Sequence, residues 1–138
     1  IWRYRFIYRD LNDLMSRNRK VETQFNAILQ RKNDAARSLC VRLADAQQID
    51  ASPAAVDALS TNMVVVATFW LSFEYVRNAR RFSDAEYRGG AMARGVYQVM
   101  SLIGSCLRGE AREQFLRLAT EHLRTQPAAA GVEAPAGA

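Results

Sequence analysis

The chain has 138 residues, 49% apolar and 24% charged, which is one domain's worth of ordinary globular sequence. Its net charge of +5 comes almost wholly from arginine; the charges are spread along the chain, and the densest groups (Arg17, Arg19, Lys20 and Arg77, Arg80, Arg81) fall at expected helix ends, which argues against a nucleic-acid groove. There is no signal-peptide pattern, and the longest apolar run, Met63 to Val76, is broken by Glu74 and is shorter than the roughly 30 Å of hydrocarbon in a bilayer demands.

Apolar residues recur at helical spacing nearly everywhere. The pattern is already running at Ile1-Trp2-Arg3-Tyr4, without a capping residue, which reads as a piece lacking an N-terminal segment. The first segment carries Tyr4, Tyr8, Leu11 and Met15 on one stripe and should end between Ser16 and Arg19. The second runs from Val21 to Ala46 with the stripe Val21, Phe25, Ile28, Ala36, Leu39 and Leu43. Lys32 interrupts that stripe, either as a lysine snorkelling from a helix edge or as a cation facing a pocket. Ser52-Pro53 is a strong start for the third helix, because serine caps and proline at the first position has no N–H to waste. That helix should reach about Arg80. It is apolar nearly all round from Met63 to Val76, so it should be the central, fully surrounded helix.

Ser83 and Glu86 have the spacing of a capping box, and a fourth helix follows to about Leu107. Gly89, Gly90, Gly95 and Gly104 would each cost a helix roughly 1 kcal/mol against alanine, which makes sense where another helix must approach closely. Arg108-Gly109 breaks the pattern, and a fifth helix starts at Glu110 or Ala111 with Phe115, Leu118 and Ala119 on its apolar stripe. Beyond Gln126 the chain is mostly Pro, Ala and Gly, and should form a disordered tail over 125–138. The expected fold is all-α: a five-helix antiparallel bundle over 1–124, with no β-sheet.

Chemistry that would mark an enzyme is thin. His122 is the only histidine, no E-x-x-H pair suggests a di-iron bundle, and no Cys/His cluster suggests zinc. Cys40 and Cys106 sit in apolar helical patterns without redox spacing, as buried thiols in a reducing cytoplasm do. No catalytic residue, metal or cofactor is expected.

The stretch Trp2-Arg3-Tyr4-Arg5-Phe6-Ile7-Tyr8-Arg9-Asp10-Leu11-Asn12-Asp13-Leu14 resembles a signature near the start of the regulatory domain in one subfamily of TetR-type repressors. Asn62-Met63-Val64-Val65-Val66-Ala67-Thr68-Phe69-Trp70-Leu71-Ser72 is similar to its central helix. Gly95-Val96-Tyr97-Gln98-Val99 and Gly109-Glu110-Ala111-Arg112 resemble its last helix pair. The resemblance implies a homodimer joined through the last two helices. It also implies a small-molecule effector in a pocket, and operator DNA bound only through an N-terminal helix-turn-helix that no part of this sequence matches. A stand-alone helical enzyme or small-molecule carrier is the alternative, and neither reading calls for a membrane.

For the pocket, the faces of the first and third helices supply Tyr8, Asn12, Asn62, Val66, Phe69, Trp70 and Phe73. These aromatics with one or two amides would suit an apolar or amphipathic ligand, or they are ordinary core. For the dimer seam, Gly90, Ala93, Tyr97, Ser101 and Gly104 form a flat stripe, with Phe115, Leu118 and Ala119 as apolar cover. The same stripe could equally serve close packing within one subunit.

Overall fold

A computed structural model of the chain describes residues 11–125, without the side chains of Asn12, Ser83, Leu123, Arg124 and Thr125. Five α-helices follow one another: α1 (Leu11–Arg17), α2 (Arg19–Asp45), α3 (Pro53–Arg77), α4 (Ala85–Gly104) and α5 (Gly109–Thr125). A 3₁₀ turn, η1 (Ala79–Ser83), joins α3 to α4. Among the described residues there is no strand, only an isolated bridge between Ile49 and Leu107. The expected tail lies almost wholly outside the described residues.

Each helix start has a local cause. The Asn18 side chain caps α2 by accepting from the backbone N–H of Lys20 and Val21 at 3.1 and 3.2 Å. Ser52 accepts from the Ala55 N–H at 3.2 Å with Pro53 in the first helical position, as its sequence requires. At α4 the cap is Asp84, one residue later than the expected Ser83, and it accepts from the Glu86 N–H at 2.9 Å. Ser83 is taken up by the 3₁₀ turn, and a carboxylate at Asp84 also suits the positive end of the helix dipole.

The C-terminus of α2 closes with two reversed hydrogen bonds, Gln47 N–H to Ala44 O and Gln48 N–H to Leu43 O, both 2.9 Å. This is a Schellman closure, and it puts Gln47 in the left-handed region at φ 56° where glycine is usual. The loop that follows is clamped to the α4–α5 loop. Asp50 N–H donates to Cys106 O at 2.9 Å, Arg108 N–H donates to Gln48 O at 2.8 Å, and the Arg108 and Asp50 side chains pair.

From α2 to α5, successive helices run antiparallel. Across α2 and α3, Arg37 meets Asp57 at 2.6 Å while Lys32 meets Thr68 at 3.3 Å. Across α3 and α4, Trp70 reaches Ala91 while Glu74 reaches Tyr87. The main core gathers at the clamped end: Cys40, Ile49, Val56, Leu59, Met63 and Ile103 are buried together. Cys40 is a free thiol whose pKa burial pushes up, as an inert core position would show.

One expectation about α3 does not hold in the single chain. The helix is central, with α2 and α4 packed on it, but it is not surrounded. Val65, Phe69, Phe73 and Val76 are exposed, and they fall on one stripe of the helix. The reason is geometric: α2 and α4 cover only part of the circumference, so an all-round apolar pattern leaves an uncovered arc. The helix also runs well beyond the Met63–Val76 run, and by length and composition alone it could cross a membrane. Its Glu74 is instead buried in an ion-paired contact with α4.

Candidate functional site

Among the described residues a groove of about 250 Å³ lies between α3 and α4. Ala67, Trp70 and Leu71 form one wall, and Met92, Gly95, Val96, Val99 and Met100 form the other. No lining residue carries a charge, so the space suits apolar matter. A larger depression of about 570 Å³ lies over Leu116, Arg117, Thr120 and Glu121. All four belong to α5, and the outer side of one helix cannot enclose a ligand.

The groove depends on Gly95. A Cβ there would lie 2.5 Å from Trp70 Cδ1, far inside contact distance. The missing side chain lets the indole lie flat on α4, where Nε1 donates to Ala91 O at 2.7 Å. The fixed indole makes the floor of the groove rigid, and Phe73 leans on it with ring centroids 5.3 Å apart.

One turn beyond Trp70, Glu74 is 1% exposed. Arg94 Nη2 donates to its Oε2 at 2.6 Å, and Tyr87 OH donates to the same oxygen at 2.8 Å. The Arg94 guanidinium also stands over the Tyr87 ring, 5.2 Å from its centroid. Burial pushes the Glu74 carboxyl upward. The hydrogen bonds from Arg94 and Tyr87, with the charges of Arg94 and Arg77, outweigh burial and hold it below the usual carboxylate range. The carboxylate is therefore charged at neutral pH, and it locks α4 onto α3 at one end of the groove. Sequence reading treated Glu74 only as a break in an apolar run. The available signal was that a lone charge in such a run must find a partner.

Of the residues expected in a pocket, only Trp70 lines the groove. Asn62, Val66, Phe69 and Phe73 do share a helical face, but that face turns outward: Val66 is half-buried and the other three are exposed. Tyr8 and the Asn12 side chain lie outside the described residues.

The expected seam residues are placed as follows. Gly104 meets Phe115 of its own chain; a Cβ on Gly104 would collide with the ring. Tyr97 stacks on His122 at 5.3 Å. The Ser101 hydroxyl donates back to Tyr97 O at 2.8 Å, and Gly90 lies beneath Arg94. Thus α5 of the same chain takes up much of the small-residue stripe. Ala93 and Ala119 are half-buried and Leu118 is exposed. Beside the stripe, α4 exposes another row, Met92, Val96 and Met100. Among the described residues no His/Cys/Asp/Glu cluster could hold a metal ion.

The described residues form an all-helical bundle with an uncharged groove beside its central helix, α3. Residues 1–115 match the family model "TetR", described as bacterial transcriptional repressor. The chain belongs to this family. A crystal structure of a TetR-family transcriptional regulator from Marinobacter aquaeolei VT8 is similar, with a TM-score of 0.70 and 29% sequence identity. The match covers 88% of this chain and 55% of that one, so the chain spans about half the length of that regulator. No curated protein matches the chain.

Proposed function

We propose that this chain is the effector-binding and dimerising part of a TetR-type repressor, and that it acts in the cytoplasm on operator DNA held by a helix-turn-helix outside residues 1–138. Residues 1–124 would form the working domain. The effector is a small apolar or amphipathic molecule, and two copies join through α4 and α5. The observation that carries the effector reading is the uncharged α3–α4 groove, floored by an indole that Gly95 holds in place. The dimer reading is supported by the exposed row Met92, Val96 and Met100 with Leu118 on α5. An apolar row of this kind commonly marks an interaction surface.

The mechanism follows from linkage. Two recognition helices must sit about 34–36 Å apart to enter successive major grooves. An effector that binds one dimer shape better than another shifts the population of spacings, with a coupling of about 1–3 kcal/mol in typical cases. The groove is well placed for this, because its two walls belong to α3 and to α4, the helix assigned to the seam. A molecule wedged between them alters how α4 is presented to the partner.

A neutral apolar dye tests the site. Nile red should bind the purified chain with enhanced fluorescence, and Ala67→Trp, which fills the groove from an exposed position, should weaken binding about tenfold or more without lowering the melting temperature. Equal dye binding by the filled variant would refute the groove as the effector site.

A further inference from the structure

Among the described residues nothing closes the α3–α4 groove on its outer side. Leu71 and Gly95 at its base are buried, whereas Ala67, Met92, Val96 and Met100 are exposed and form its rim. A small-molecule site commonly buries about 70–90% of its ligand. A body lying on Trp70 and Leu71 inside this rim would keep one whole side in water, so a single chain supplies a floor and two walls without a roof.

The rim continues into a wider apolar face. Phe73 leans on Trp70, and so joins the exposed α3 stripe of Val65 and Phe69 to the groove. On the other side Met92, Val96 and Met100 are at once a groove wall and the row that would meet a partner. These six side chains expose roughly 500 Å², about the apolar share of the 800 Å² or so that each partner brings to an ordinary stable interface. Arg94, the one charged residue of α4 between Met92 and Met100, is turned away to Glu74. A face without charge is self-complementary: a two-fold axis sets it against its own copy, apolar on apolar, as an isologous interface requires.

We infer that a second copy of the chain roofs the groove, so that the effector is held between two subunits and each site is incomplete in a single chain. This rests on the groove being the effector site and on the proposed dimer. The shared wall then links binding to pairing. A ligand covered by the partner buries more apolar surface in the dimer than in the single chain, so it binds the dimer more tightly. By reciprocity, each bound ligand strengthens pairing by the same factor.

Nile red titrated against the wild type over a wide range of protein concentration tests this, with sedimentation velocity run with and without the dye. Leu118→Glu and Phe69→Glu are titrated beside it, because both positions are exposed and neither lines the groove. The dye should bind the dimer about tenfold more tightly than single chains. The two variants should sediment as single chains and show the weaker affinity, and saturating dye should keep the wild type paired at dilutions where it otherwise dissociates. Equal affinity for single chains and dimers would show the groove to be complete in one chain. Dye that separates the dimer would show ligand and partner competing for Met92, Val96 and Met100. Either result overturns the shared site and leaves the groove reading in place. Two variants that both still pair would put the seam on another face and overturn it as well, and a wild type that never pairs removes it together with the dimer reading. Failure of the groove reading itself is separate, and shows as Ala67→Trp binding the dye as the wild type does.

Discussion

Removing Arg94 should destabilise the fold in a way whose pH dependence runs opposite to that of the intact protein. Glu74 is almost fully buried and is held ionised by Arg94 and Tyr87. Deleting one partner of a buried pair typically costs about 3–5 kcal/mol, because the other charge is stranded. Arg94 is 31% exposed, so water partly replaces it in the variant, and we expect about 2–3 kcal/mol for Arg94→Met at pH 7.5. In the wild type the folded-state pKa lies below the unfolded value, roughly 4.3. Its stabilising contribution is thus full above that value and fades as pH falls through the folded pKa. In Arg94→Met burial dominates, so the carboxyl's pKa rises above its unfolded value. The folded state then takes up protons first, and the variant regains stability as pH falls from 7.5 towards 5. Urea denaturation of both proteins at the two pH values measures the difference. We expect the gap to shrink by about 1 kcal/mol at pH 5, within the limit of about 1.4 kcal/mol per pKa unit. A gap under about 0.5 kcal/mol, unchanged with pH, would refute the view that Arg94 compensates a buried charge.

Three backbone positions give further tests by thermal denaturation. Gly95→Ala should destabilise by about 2 kcal/mol, because the indole must move and lose its bond to Ala91. Gly89→Ala, in the same helix with open space around its Cβ, should instead stabilise by about 0.5–1 kcal/mol. Gln47→Gly should stabilise by about 0.5–1 kcal/mol through relief of the left-handed residue that ends α2. A drop in melting temperature there would show that the Gln47 side chain contributes more than the backbone strain it imposes.

Helix number, order and most boundaries were legible because they follow from local signals: periodicity, Ser52-Pro53, and the Arg108-Gly109 break. The Asp84 cap was missed by one residue because a 3₁₀ turn has no period that competes with the capping spacing. Site residues were harder, for a physical reason. A helix apolar on every side, such as α3, carries no information about which arc its neighbours cover. Phe69 and Phe73 therefore looked as inward as Trp70, and only Trp70 faces the groove. Likewise, Gly104 and Tyr97 announced a close approach without saying whose helix approaches; Phe115 and His122 of the same chain do. Gly104→Glu would consequently disrupt the α4–α5 contact of its own chain and cannot isolate a seam between copies. Lys32 and Glu74, charges set in apolar surroundings, were the positions where local pattern and tertiary demand conflicted, and both hold polar contacts on α3 or α4.

Sedimentation velocity of the wild type and of Val96→Glu at micromolar concentration bears most directly on the claim that this is the dimerising part of a repressor. Val96 is 61% exposed in one chain, so the added carboxylate leaves the fold intact while it burdens the α4 row that would meet a partner and that also forms one wall of the groove. The account requires a two-chain particle for the wild type and single chains for the variant. Wild-type protein that sediments as one copy even when concentrated, and identically to Val96→Glu, would contradict it.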